Sequence, residues 1–125
     1  MRWPVFLHGV SCWLGGLAGG EILDEMAPSS AAAWGLGRNG IVIEATYMAA
    51  MLTLTLWLTR RRPAPRRWYL SLLIGMFYPI GIYAFCRLLT LAHLDGYPTF
   101  GLLGRVLEAG YAVGLAFVAS RAVKL

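Results

Sequence analysis

Charge is what this chain has least of. Asp, Glu, Lys and Arg make up 14% of its 125 residues, against about a quarter in an ordinary soluble domain. Lysine occurs once, at Lys124, while histidine and cysteine occur twice each. Each scarcity removes a class of function. No helix carries a lysine at mid-depth for a retinal Schiff base. His8 and His93 fall toward opposite ends of their segments, which rules out a facing pair of haem ligands. Cys12 and Cys86 sit in apolar runs at different depths and read as packing residues, not as a disulfide. There is no Gly-rich phosphate loop. The net charge is +5, yet five arginines crowd into "RRRPAPRR" instead of lining a face as a nucleic-acid footprint would. Nucleic acid is therefore excluded as a partner, and neither a metal nor an organic cofactor is called for.

What the chain has in abundance is apolar surface: 58% of residues, with a mean hydropathy of +0.62. The length suits a single domain, 1–125. Four apolar runs are long enough for about 30 Å of hydrocarbon, which takes roughly 20 helical residues. They are Trp3–Leu23, Asn39–Leu58, Trp68–Leu91 and Phe100–Val123. Breakers separate them: "APSS" with "WGLG", then "RRRPAPRR", then "HLDGYPT". Asn39 and Thr99 are the expected N-caps of the second and fourth helices. The runs lack period-two alternation, which excludes β-barrel strands. The expected fold is an all-α integral membrane protein, a four-transmembrane-helix bundle.

Orientation follows from the basic residues. If four helices alternate, Arg2, Arg60, Arg61, Arg62, Arg66, Arg67, Arg121 and Lys124 share one side, and all six acids lie toward the other. The N and C termini and the loop at 60–67 are expected to be cytoplasmic, in a bacterial inner membrane. That loop, with its two prolines, is read as a topology determinant more than as a specific lipid site. Trp3, Trp57, Trp68 and Tyr69 mark the cytoplasmic interface, and Trp34, Tyr97 and Phe100 the outer one.

Polar residues inside the spans divide by depth. The cytoplasmic halves hold His8, Ser11, Thr53, Thr55, Ser71 and Ser120, none of them charged, and the hydroxyls can bond back to their own helices. The outer halves hold Glu21, Glu44, Arg87, Arg105 and Glu108, with Tyr47, Tyr78, Tyr83 and Tyr111 slightly deeper. A charge near the bilayer centre costs about 2.5–3.5 kcal/mol on insertion scales, so such groups pair or mark a site. Glu44 and Tyr47 are three apart, as are Arg105 and Glu108, and Glu108 and Tyr111; Tyr83 and Arg87 are four apart. Each pair shares a helical surface. Arg105 is expected to pair with Glu108, leaving Arg87 to meet Glu44 or Glu21. His93, beside Asp95, is placed to join the outer site. "GGLAGG" and the GxxxG of "GYAVG" leave room for close helix contact, and Pro79 is expected to kink the third helix beside Gly81 and to free a carbonyl near the midplane. The segments "GRNGIVIEATY" and "GRVLEAGY" echo one another, as a duplicated helix hairpin would, with Glu44 and Glu108 at similar depth.

Three function classes fit. A proton-linked transporter of a small molecule or ion would titrate both glutamates, but needs a polar route through cytoplasmic halves that are apolar. An accessory subunit of a larger membrane complex, or a homo-oligomer, would use the charges as interhelix pairs. An intramembrane acid–base enzyme on a lipophilic small molecule would use Glu108 as base and Glu44 as proton donor, for isomerisation, cyclisation or epoxide opening. In that reading Tyr47, Tyr83 and Tyr111 join Arg87, Arg105, Glu21 and His93 as binding or pairing groups. The enzyme is the preferred expectation, because it accounts for one-sided polarity, acids and tyrosines together.

Overall fold

The computed structural model describes residues 3–26, 38–60, 62–91 and 100–124, without the side chains of Arg38, Asn39, Cys86, 89–91 and 100–105. Each long apolar run forms one helix, as a run without strand alternation must. The helices are α1 (Trp3–Met26), α2 (Arg38–Leu58), α3 (Trp68–Leu91) and α4 (Phe100–Ala122). A single 3-10 turn, Pro65–Arg67, precedes α3. Among the described residues the only β pairing is an isolated bridge between Pro63 and Lys124. Helix α2 begins one residue before Asn39, so Asn39 lies in its first turn; Thr99 falls outside the described residues. Among the described residues two stretches are long and apolar enough to cross a membrane, Gly40–Leu58 and Pro65–Phe85.

The helices pack unevenly. α1 lies most extensively against α3 and α2, and α4 joins α2 and α3 through smaller contacts. The glycines of α1 explain the first pairing. Positions four apart share a helical face, and "GGLAGG" supplies two such pairs. Gly15 and Gly19 face α3, while Gly16 and Gly20 face α2. At the α1–α3 crossing the fit is reciprocal: a Cβ on Gly15 would overlap the Leu72 backbone, and one on Gly75 the Cys12 backbone. Only glycine permits that approach.

Helix α4 approaches by different residues. Ala112, Ala116, Ala119 and Val123 are fully buried in the main core with Met48, Leu52, Leu56 and Tyr78. Among the described residues, Gly110 and Gly114, the expected contact pair, have nothing within 4 Å of an added Cβ. They stand two residues from Ala112 and Ala116, about 200° round the helix. Burying the alanines therefore turns the glycines outward.

The basic end of the bundle is fastened by polar contacts. Ala64 N donates to Val123 O at 2.7 Å, and Arg67 donates to Ala122 O at 3.1 Å. His8, wholly buried, reaches Ala64 O through Nε2 at 2.8 Å and Ser71 Oγ through Nδ1 at 2.6 Å. A carbonyl can only accept, so Nε2 carries the proton and Nδ1 accepts from Ser71. One histidine thus ties α1, α3 and the loop together. Thr53 and Thr55 donate to the Ala49 and Met51 carbonyls, and Ser120 to that of Phe117. The expectation that hydroxyls at this end bond within their own helices holds for these three.

Candidate active site

The site is assembled by α2, α3 and α4. Glu44 and Tyr47 come from adjacent turns of α2, Glu108 and Tyr111 from α4, and Tyr78 from α3. The spacing of three in each acid–tyrosine pair carries both side chains to the same side of their helix. Tyr78 is 0% exposed. A buried phenol needs a partner for its hydroxyl, and this one finds two. The Tyr78 hydroxyl lies 3.1 Å from Glu44 Oε2 and 3.2 Å from Glu108 Oε1. Glu44 and Glu108 are also within side-chain hydrogen-bonding reach of each other. A phenol has one proton to donate, so it serves one carboxylate at a time. Both contacts are hydrogen bonds together only when one carboxyl brings its own proton. The three groups form a unit that can hold and pass a proton.

Aromatic rings fix the phenol. The rings of Tyr78 and Tyr111 stack with centroids 5.7 Å apart and planes at 13°. Tyr111 is held in turn by donating to Phe77 O at 2.6 Å. Gly81 leaves the room this needs, since a Cβ there would overlap the Tyr111 hydroxyl. Tyr47 lies 6.5 Å from Tyr78, tilted by 41°. A cavity of about 280 Å³ opens over the carboxylates, lined by Ile43, Glu44, Tyr47, Glu108 and Ala109. That is close to the lower bound of ordinary small-molecule sites, roughly 300 Å³. Glu44 and Glu108 are half-buried and Tyr47 is exposed, so the cavity is reached from the flank of the bundle.

The structure brings together four of the residues singled out from sequence: Glu44, Glu108, Tyr47 and Tyr111. Others lie apart. Tyr83 packs beside Leu23 and Ile41 in a smaller cluster. Glu21 is exposed on α1, which does not line the cavity. Arg87 is exposed on α3, nine residues beyond Tyr78 and so about 13 Å further along the helix. The described partners of Glu44 are Tyr78 and Glu108; Arg87, expected to meet Glu44 or Glu21, is not among them. His93 and the Arg105 side chain lie outside the described residues. Among the described residues no three His, Cys, Asp or Glu side chains gather as for a metal ion.

Tyr78 is the residue sequence reasoning undervalued. It is one of four tyrosines near the acids, and its place in the sequence does not set it apart from the other three. Its neighbour Pro79 marks the middle of α3, where a phenol surrounded by apolar residues must look to another helix for its partner. Compared with protein-family models, curated proteins and solved structures, the chain has no match.

Proposed function

We propose that this chain is an intramembrane acid–base enzyme acting on a lipophilic small molecule, with Glu44, Glu108 and Tyr78 as its reacting groups. All four helices cross the bilayer in this reading. Both termini and the loop at 60–67 face the cytoplasm of a bacterial inner membrane, and the substrate enters from the outer leaflet. Support for the embedding comes from the apolar residues turned outward on every helix, among them Phe6, Leu14, Ile43, Leu54, Phe77, Leu88, Val113 and Phe117. The exposed cations Arg60, Arg62, Arg66, Arg121 and Lys124 gather at one end, as the positive-inside rule requires of a cytoplasmic face.

The observation that carries the chemistry is two carboxyls from different helices on one phenol hydroxyl. Glu44 gives a proton to one atom of the substrate, and Glu108, three residues after Arg105, removes one from another. The proton gained by Glu108 then returns through the Tyr78 hydroxyl to Glu44. Protons gained and lost are equal, which is the stoichiometry of an isomerisation or a cyclisation and needs no co-reactant. Transport is disfavoured by the closed half beneath: Met48, Leu52, Leu56, Ala116 and Ala119 are all 0% exposed. The accessory-subunit reading draws on the outward Gly110 and Gly114, which meet nothing among the described residues.

The test compares proteoliposomes of the wild type with those of Glu44→Gln and Glu108→Gln. Each is incubated with a lipophilic extract of the source cells, and the extract is searched by mass spectrometry and chromatography for a product of unchanged mass. The expected result is a wild-type product absent from both variants while helicity and assembly stay intact. A proton flux across pyranine-loaded vesicles, lost in the same variants, would replace the enzyme by a transporter. Loss of assembly without either activity would leave the subunit reading.

A further inference from the structure

A second cavity lies between α1 and α2, away from the carboxylates. It is a lateral groove of about 660 Å³ whose lining includes Phe6, Trp13, Ala50, Thr53, Leu54 and Trp57. Small residues form its floor: Gly9 abuts Thr53, and Ala49 lies one turn away. Its polar groups are already engaged. Thr53 donates to Ala49 O, Thr46 to Val42 O, and Trp13 Nε1 to Thr46 Oγ1 at 3.1 Å. An occupant therefore meets almost entirely apolar surface. From Thr46 to Trp57 the groove runs along α2 for about 16 Å at 1.5 Å per residue. That is about half of the 30 Å hydrocarbon layer, the depth of one leaflet.

The groove ends at cations. Arg60 N donates to Trp57 O at 3.2 Å, and Arg60 and Arg62 are both exposed. Arg60 has a φ of 53°, in the left-handed region where a helix end normally places glycine. An arginine at that position stands three residues beyond Trp57, at the end of α2 where the groove closes. We propose that the α1–α2 groove binds one acyl chain of an anionic phospholipid of the cytoplasmic leaflet, with its phosphate on Arg60 and Arg62. Charge complementarity, an apolar lining and a one-leaflet length select this occupant. The loop at 60–67 then binds lipid as well as fixing topology. The proposal rests on the four-span reading and is independent of the chemistry at Glu44.

The experiment uses a variant keeping Trp13 alone, with Trp3, Trp34, Trp57 and Trp68 replaced by Phe. It is reconstituted in phosphatidylcholine vesicles carrying equal fractions of acyl-brominated phosphatidylglycerol or acyl-brominated phosphatidylcholine. Quenching of Trp13 is expected to give an association constant about tenfold higher for the anionic lipid, from two arginines near a phosphate. Arg60→Gln with Arg62→Gln should bring the ratio near one, and Ala50→Phe should weaken quenching by both lipids. Equal quenching in the parent, or a preference that survives loss of both arginines, overturns the lipid site alone. Absence of quenching by either lipid in vesicle-bound protein overturns the four-span reading along with it. Native mass spectrometry of the unaltered protein, extracted from mixed vesicles, should retain one phosphatidylglycerol per chain; retention of none also overturns the site.

Discussion

The contact of α1 with its neighbours and the contact of α4 with the same neighbours are built on different principles. α1 meets α3 through glycines, backbone against backbone, and there leaves almost no space, while its glycines on the α2 side meet the Thr53, Ala45 and Ile41 side chains. α4 meets them through Ala112, Ala116 and Ala119 at its basic end, and beyond those alanines through Tyr111 and Glu108. Close packing makes a rigid frame but admits no functional side chain. The looser contact keeps a cavity of about 280 Å³ and puts two carboxyls and two stacked phenols beside it. Close backbone packing and the candidate site thereby lie at different helix contacts.

That division can be tested at both contacts. The largest effect is expected from Gly75→Leu, which forces α1 off α3. Overpacking against backbone should cost about 3 kcal/mol, seen as a lower midpoint of denaturant unfolding by circular dichroism in detergent. Tyr78→Phe removes the shared hydroxyl and should lower turnover about 100-fold, the ordinary scale of a lost proton-transfer group. Its cost in folding stability should stay near 1 kcal/mol, so a variant that unfolds outright would argue for a purely structural phenol. His8→Ala strips Ser71 and Ala64 O of a buried partner, for about 2 kcal/mol, with turnover unchanged because the histidine is remote from the carboxyls. Tyr111→Phe frees Phe77 O and should cost about 1 kcal/mol. It should also loosen the stacked Tyr78 ring, read as faster ring flipping by NMR. The smallest effect belongs to Gly114→Leu. If α4 has no partner beyond this chain, the shift should stay within about 0.5 kcal/mol; a large shift with a change in oligomeric state would reveal a partner on that face.

Much of the fold was legible before any coordinates. Four apolar runs became four helices because a continuous apolar stretch of some 20 residues has no alternation to form strands. The paired glycines of "GGLAGG" announced a close contact, and the matching positions of Glu44 and Glu108 announced that the two acids would reach one place. The same kind of motif misled at "GYAVG". A GxxxG records that a backbone can be approached, not by what, and the alanines two residues on claimed the interior. The meeting of Arg87 with Glu44, one of its two expected partners, is not seen among the described residues, for a related reason. Opposite charges in a one-dimensional list look like partners, but 13 Å of helix separates Arg87 from the level of Tyr78.

The sequence by itself determined the number and length of the helices, the gathering of basic residues at one end, and the acids of the site. Those depend on composition, on local hydrogen bonding and on a period of 3.6 residues, which are properties of neighbouring residues. Only the tertiary structure decided that Tyr78 joins the two glutamates, that His8 fastens three elements, and which small residues of α4 face inward. Each of these turns on where a helix sits and how it is rotated against its neighbours. Rotation is set by the summed fit of many side chains at once, and no single stretch of the chain encodes it.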